Sequence, residues 1–241
     1  MQEYLYRCDN FQALTSDIML LKFMPQSKNA SISYSAGQYV EAVFDDHVLP
    51  LSIANSPSET RELEFHLRHN SYHPVAKQFL TALHNNKQVV LRGPIGNSTL
   101  DRATNASKII MLAGGTGFTP FKALLEEALM HKQYDKQIDL IWGIRQPLDA
   151  YKIDLLMEWQ STHSLFDFKV VLSEPENFPS WEGPVGLAHE YLAKCYPRFD
   201  KEAVFASGPY PMVKAAFELF TAQGLKPEQF ICDMITSAIS A

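Results

Sequence analysis

"SKIIMLAGGTGFTP", residues 107–120, decides how this chain folds. Ile109, Ile110, Met111, Leu112 and Ala113 run without a polar break, the composition of a strand covered on both faces. Gly114, Gly115 and Gly117 follow. Pro120 then falls near the first turn of an amphipathic segment, "PFKALLEEALMHK" (120–132). Buried strand, glycine turn and helix in that order are the opening unit of a doubly wound parallel sheet.

Toward the C-terminus the same grammar repeats. "KQIDLIWGIR" (136–145), "FDFKVVLSE" (166–174), "EAVFASGP" (202–209) and "EQFICDM" (228–234) read as strands. Helices are expected around "LLMEWQS" (155–161), "LAHEYLAKCY" (187–196) and "PMVKAAFELFTAQG" (211–224). Toward the N-terminus the grammar differs. "EYLYRCDNF" (3–11), "DIMLLKFMP" (17–25), "GQYVEAVFDD" (37–46), "VLPLSIAN" (48–55), "RELEFHLRH" (61–69) and "KQVVLRGP" (87–94) show strand-like alternation between Ser, Asn, Gly and Pro breaks. One helix interrupts them, "HPVAKQFLTAL" (73–83), with Val75, Ala76, Phe79, Leu80 and Leu83 at helical spacing. This half reads as a small antiparallel β-barrel. The polar, aperiodic "DRATNASK" (101–108) separates the halves, so two domains are expected, residues 1–103 and 104–241.

The 241 residues, 46% apolar and 20% charged, have the make-up of a soluble globular protein. The first residues, "MQEYLYRCDNF", carry neither a basic lead nor a sustained apolar run, so no signal peptide or membrane span is expected and the location expected is cytoplasmic. Cys8, Cys195 and Cys232 are too dispersed for a disulfide framework, and no C-x-x-C spacing suggests zinc or an iron–sulfur cluster. The net charge is −6, with nine basic and ten acidic residues up to position 103 and twelve and seventeen after it. Without a basic run, nucleic acid is not an expected partner. An anionic ligand must therefore be held by local donors.

The glycine loop supplies such donors. Glycines admit positive φ and close approach to the backbone, and the helix behind them presents unpaired N–H groups and the positive end of its dipole. Neither the G-x-G-x-x-G dinucleotide fingerprint nor the G-K-[ST] of a phosphate loop is present. His66, His69 and His73 are close in sequence, but 66 and 69 fall on opposite faces of a strand, so no metal is expected. Ser173 has no G-x-S-x-G elbow around it.

Four features carry a resemblance over nearly the whole chain: "AGQYV" (36–40), "PLSIANSP" (50–57), "AGGTGFTP" (113–120), and "WEGPVG" (181–186) through "FASGPYPM" (205–212). In this order and spacing the chain resembles the ferredoxin–NADP reductase superfamily. Within it, the chain is most similar to the small bacterial NAD(P)H:flavin oxidoreductases, which lack an iron–sulfur domain. The resemblance implies a flavin site on the barrel and a nicotinamide-nucleotide site on the α/β domain, with hydride passing in the cleft between them. It makes Ser52 the residue beside flavin N5, on a wall formed by Pro50, Leu51, Ser52, Ile53 and Ala54. A small residue there lets the flat ring approach.

Two positions depart from that family's Arg-x-(Tyr/Phe/Thr)-(Ser/Thr) pattern. Leu49 stands where the arginine usually neutralises flavin phosphate, and Leu51 where an aromatic side chain usually packs. A charge-assisted hydrogen bond is worth roughly 1.5–3 kcal/mol, so its loss means about ten- to hundred-fold weaker holding of a phosphorylated flavin. Arg68, His69 and Lys77 lie in the segment that runs toward the flavin tail in such relatives. On the nucleotide side the resemblance assigns Thr116 to the nicotinamide, with Gly114, Gly115 and Gly117 around it. It assigns Ser207, Gly208 and Pro209 to the opposite turn, with Ser207 in place of the usual cysteine. Arg145 in "WGIRQ" is expected near the cofactor's ribose and phosphates. Glu174 in "VLSEP" repels a 2′-phosphate and tilts the expectation toward NADH.

The expected activity is that of a flavin reductase using FMN, FAD or riboflavin as a dissociable substrate, with Ser52 and Thr116 at the reacting atoms. The alternatives are a reductase component that retains its flavin and passes electrons to a separate oxygenase, ferredoxin or other iron protein, and a non-catalytic flavin- or nucleotide-binding module. Ferric iron, reached through free reduced flavin, is a further expected acceptor.

Overall fold

The computed structural model describes residues 1–27, 31–58, 61–131 and 134–234, with the side chains of Asp9 and His131 excepted. The chain divides into two compact units, Met1–Thr99 with Thr119–His131, and Leu100–Phe118 with Lys132–Ala241. No helix among the described residues is long and apolar enough to cross a membrane.

The first unit is a six-stranded antiparallel sheet. Its strands are β1 (Glu3–Ala13), β2 (Ile18–Pro25), β3 (Tyr39–Phe44), β4 (His47–Ser52), β5 (Leu63–Arg68) and β6 (Gln88–Ile95), in the spatial order β4-β3-β6-β1-β2-β5. Alternation works as read from the sequence: Leu21 and Phe23 of β2, Val40 and Ala42 of β3, and Leu63, Phe65 and Leu67 of β5 all turn into one core. Helix α1 (Pro74–Asn86) opens on a proline, where a missing N–H costs nothing, and drives Ala76, Phe79 and Leu83 into that core. It stops at Lys87, which takes a left-handed conformation (φ +52°).

The pairing of β3 with β4 fixes which way β4 faces. Val40 lies opposite Leu51 and Ala42 opposite Leu49, so Leu49, Leu51 and Ile53 turn toward the core. Val48 and Pro50 are exposed. Proline is tolerated there because β4 is an edge strand.

The second unit is a five-stranded parallel sheet. It comprises β7 (Lys108–Gly114), β8 (Gln137–Ile144), β9 (Phe166–Leu172), β10 (Glu202–Ser207) and β11 (Phe230–Ile231), in the order β11-β10-β7-β8-β9. Strand β7 is central and buried from Ile109 to Gly114, as its unbroken apolar run requires. Helix α2 (Phe118–Glu126) follows it and runs on into a wider π turn over Glu127–His131; Lys132, the last residue of the helix expected from sequence, lies outside the described residues. Helices α3 (Ile153–Thr162), α4 (Ala188–Cys195) and α5 (Tyr210–Ala222) complete the alternation. Leu192, Ala193, Val213, Ala216 and Phe220 of α4 and α5 pack against Ile110, Leu112, Val204 and Ala206. The last strand is shorter than its sequence suggests, two residues after a single turn over Pro227–Gln229.

Candidate active site

In the first unit the chain leaves β4 at Ser52 and turns through Ile53, Ala54, Asn55 and Ser56, four residues that are buried. Their backbone is closely held. Ile53 N–H donates to the Gln38 carbonyl (3.1 Å) and Ala54 N–H to the Glu64 carbonyl (2.8 Å). The Tyr34 hydroxyl donates to the Asn55 carbonyl (3.0 Å), and the Asn55 side chain bridges to the Glu62 carbonyl and the Glu64 N–H. Gln38 is itself held, since its side-chain amide donates to the Gly96 carbonyl (2.8 Å) and accepts from Ser35 N–H (2.8 Å). Ser52 differs from the residues that follow it: it is half-buried, and among the described residues its hydroxyl has no partner.

Beneath this turn lies a set of charged side chains. The Lys122 ammonium, from α2, is 4% exposed and donates to the Ala54 carbonyl (3.2 Å). It also lies 2.5 Å from Glu126 and 3.3 Å from Glu64, whose same oxygen sits 2.9 Å from His66 Nε2. Burial works against the charged form of Glu64, but the hydrogen bond to His66 and the Lys122 charge outweigh it and hold the carboxyl at about 2. Glu126 also accepts from Ser56 N–H (3.0 Å), and Glu127 accepts from the Ser56 and Ser58 hydroxyls (2.5 and 3.1 Å). Burial, then the Glu126 charge, push the Tyr34 phenol well above its ordinary range. Sequence reading passed over Lys122, Glu64, Glu126 and Ser56. The available signal was "KALLEE" (122–127): a lysine and a glutamate four apart, in a helix whose other residues are almost all apolar, must be paired.

Arg68, His69 and Lys77 are placed elsewhere. Arg68 ends β5 four residues beyond Glu64, about 13 Å along the strand, and reaches Asp17 (3.3 Å). His69 N–H donates to the Asp17 carbonyl, and Lys77 is exposed on α1.

In the second unit β7 is flanked by β8, which follows it in sequence, and by β10, reached only after β9. The connection reverses direction between β7 and β10. Open α/β sheets bind ligands at this kind of switch point, outside the carboxyl ends of the strands. Two turns meet there, Gly114–Gly117 after β7 and Ser207–Pro209 after β10. A Cβ on Gly117 would stand 2.1 Å from the Ser207 carbonyl oxygen, and one on Gly208 would stand 2.9 Å from Gly114 Cα. Gly117 and Gly208 are thus required by close backbone approach, Gly114 by the Met212 and Pro209 side chains packed over it, while Gly115 (φ +53°) makes the turn itself.

Trp142, fully buried on β8, donates its indole N–H to the Gly115 carbonyl (2.8 Å) and stacks on Phe118 with centroids 4.3 Å apart. Thr116 and Ser207 stand half-exposed beside the turns, and Pro209 is exposed. Arg145, at the end of β8, extends an exposed side chain while its N–H donates to the buried Asp149 carboxylate (3.3 Å). Glu174 is exposed just past β9.

Among the described residues no cluster of His, Cys, Asp or Glu is arranged to hold a metal ion. In the first unit Ser52 offers a hydroxyl unpartnered among the described residues, on a closely held turn, chemistry that would suit the polar edge of a flavin. A nicotinamide nucleotide fits the second, where the β7–β10 switch point carries a backbone turn followed at once by the N-terminus of α2.

Comparison with known proteins agrees with this geometry. Residues 7–100 match the oxidoreductase FAD-binding domain and residues 111–218 the oxidoreductase NAD-binding domain. CDP-6-deoxy-L-threo-D-glycero-4-hexulose-3-dehydrase reductase of Yersinia pestis is 29% identical over 236 residues, covering 97% of this chain and 69% of that protein. An NAD(P)H-flavin reductase of Aliivibrio fischeri is 28% identical over 209 residues, 84% of this chain and 86% of the relative. Among solved structures, the Amycolatopsis cytochrome P450 reductase GcoB superposes with a TM-score of 0.82 at 23% identity, over 96% of this chain and 69% of that one. With an antiparallel unit that matches the FAD-binding domain and a parallel unit that matches the NAD-binding domain, this chain is a flavin-dependent NAD(P)H oxidoreductase of the ferredoxin reductase family.

Proposed function

We propose that the chain is an NAD(P)H:flavin oxidoreductase whose flavin, riboflavin, FMN or FAD, enters and leaves as a substrate. The observation that carries this reading is the orientation of β4: Leu49 and Leu51 turn toward the core, so Ser52 is left without the arginine and aromatic ring that would retain a flavin. A relative that the chain covers to 86% of its length bears the name NAD(P)H-flavin reductase, which favours the same reading.

Bound flavin would supply a hydride acceptor at N5 for the C4 hydride of NAD(P)H. The reaction needs no protein nucleophile, so the residues bind and orient. The Ser52 hydroxyl, free to donate or accept, bonds the ring edge at N5 and accompanies its change in charge. Ile53 and Ala54, expected from sequence to line the ring, are fully buried with their N–H groups engaged, so they back Ser52 rigidly and offer no surface of their own. Thr116 and the Gly208–Pro209 turn position the nicotinamide. The turn before α2 takes the phosphates with backbone N–H groups and the helix dipole, with Arg145 beside the ribose. Glu174 disfavours a 2′-phosphate and selects NADH over NADPH.

The test is oxidation of NADH and NADPH by pure protein with riboflavin, FMN or FAD added, with flavin retention after gel filtration recorded on the same sample. Turnover that depends on added flavin, faster with NADH, is expected. A folded sample that oxidises neither nucleotide with any flavin rules the reading out.

A second reading is a reductase that keeps its flavin and delivers electrons to a separate protein, an oxygenase, ferredoxin or other iron protein. It is favoured by the relative named as the reductase of a dehydrase. A protein that stays yellow through gel filtration and reduces added flavin poorly would favour it.

A further inference from the structure

Burying an ammonium is costly even after the protein relaxes, and α2 could have been completed with an apolar residue at position 122. Lys122 instead reaches three acceptors. Two are carboxylates, Glu64 and Glu126, which supply the charge it needs. The third is a main-chain oxygen, the Ala54 carbonyl, two residues past Ser52. The carboxylates are fixed in turn: Glu64 by His66, Glu126 by the Ser56 N–H. Lys122 and Glu126 therefore grip the turn on either side of Asn55, one through a carbonyl and the other through an N–H. The opposite sense of the two bonds fixes the orientation of the peptide planes as well as their position.

Resting on the flavin reading above, we propose that Lys122 is the positioning residue of the flavin wall. Its ammonium, set by Glu64 and Glu126, holds the Ala54 carbonyl and so fixes the backbone that aims the Ser52 hydroxyl. The residue touches no cofactor atom. It acts through the chain from Ala54 back to Ser52. An ammonium suits the task because it is a compact donor with three hydrogens, matching three acceptors of which one is neutral.

The experiment is a riboflavin titration of the full chain by fluorescence quenching, comparing the parent with Lys122→Met and Lys122→Arg, with KM for flavin and for NADH measured on the same samples. Lys122→Met should weaken riboflavin about tenfold or more, the factor carried by one charge-assisted hydrogen bond. It should raise the flavin KM in parallel and leave the NADH KM within about twofold. Lys122→Arg, which keeps the charge, should recover most of the affinity. A purely scaffolding lysine would lower the melting temperature without moving the flavin affinity of the folded protein. A folded Lys122→Met with the parent's riboflavin affinity therefore overturns the proposal and leaves the flavin reading standing. A parent chain that binds no riboflavin, FMN or FAD overturns both. If Lys122→Met does not fold, because two carboxylates lose their ammonium, Lys122→Met/Glu126→Gln is titrated in its place and judged by the same factors.

Discussion

The indole N–H of Trp142 donates to the carbonyl of Gly115 at 2.8 Å, tying the second strand of the parallel sheet to the turn that follows the first. Trp142 is fully buried and stacked on Phe118, so this donor has little freedom to move. The glycine turn, whose φ of +53° at Gly115 would leave it adaptable in isolation, is held from below by an aromatic side chain.

Replacing Trp142 by Phe keeps much of the stacking and removes the donor. We expect a loss of about 0.5–1.5 kcal/mol in denaturant unfolding, the net worth of one hydrogen bond, since the Gly115 carbonyl keeps the Phe118 N–H as a donor. The NADH KM should rise roughly tenfold, since a shift of the turn misplaces the nucleotide. Steady-state kinetics with the flavin concentration held saturating separates this from any effect on flavin.

Two glycines discriminate close packing from conformational freedom. Gly117→Ala puts a methyl group 2.1 Å from the Ser207 carbonyl oxygen and should cost about 3 kcal/mol or more. Gly186→Ala meets nothing within 4 Å, and its φ of +106° alone should cost about 1–2 kcal/mol. Equal melting temperatures for the two variants would contradict the close approach of the β7 and β10 turns.

Ser52→Ala should leave stability within about 0.5 kcal/mol of the parent, because no partner is lost among the described residues. The same change should lower flavin-dependent NADH oxidation about tenfold, if the hydroxyl makes one hydrogen bond to the ring in the reacting complex. Thermal melting and initial rates on one preparation report both quantities.

The acid limb of stability should carry the signature of Glu64. Its folded carboxyl stands at about 2 against 4.5 for the free group. A depressed folded value stabilises the fold above the unfolded value and loses that contribution as pH falls through the folded one. Glu64→Gln should therefore be less stable than the parent by about 3 kcal/mol at neutral pH. The gap should close between about pH 4.5 and pH 2. Urea unfolding at pH 7, 4 and 3 reads the trend, and a gap that is constant across this range would exclude the assignment.

Much of this molecule was legible in one dimension because it depends on period and punctuation. The unbroken run Ile109–Ala113 could only be a strand covered on both faces, and β7 is the buried centre of a parallel sheet. The alternation in "GQYVEAVFDD" and "RELEFHLRH" marked β3 and β5 as strands, and their apolar residues turn into one core. The glycine turn and the "SGP" turn stood out through resemblance, but Gly117 and Gly208 answer to the close backbone approach of two turns about ninety residues apart. That closeness is a property of strand order, and strand order is not written locally. The same holds for Leu49 and Leu51, which read as two substitutions in a motif until the pairing with Ala42 and Val40 turned them inward.

Residue types and their period by themselves determined an antiparallel strand-rich unit and a parallel strand–helix unit, and the order of the motifs carried the family resemblance. Tertiary structure alone decided what holds those turns: Lys122 and Glu126 against Ala54 and Ser56, and Trp142 against Gly115. The physical reason is range. A helix or strand is set by neighbours a few residues apart, whereas a buried ammonium or indole N–H must find its acceptor wherever the fold places one, here 68 and 27 residues away.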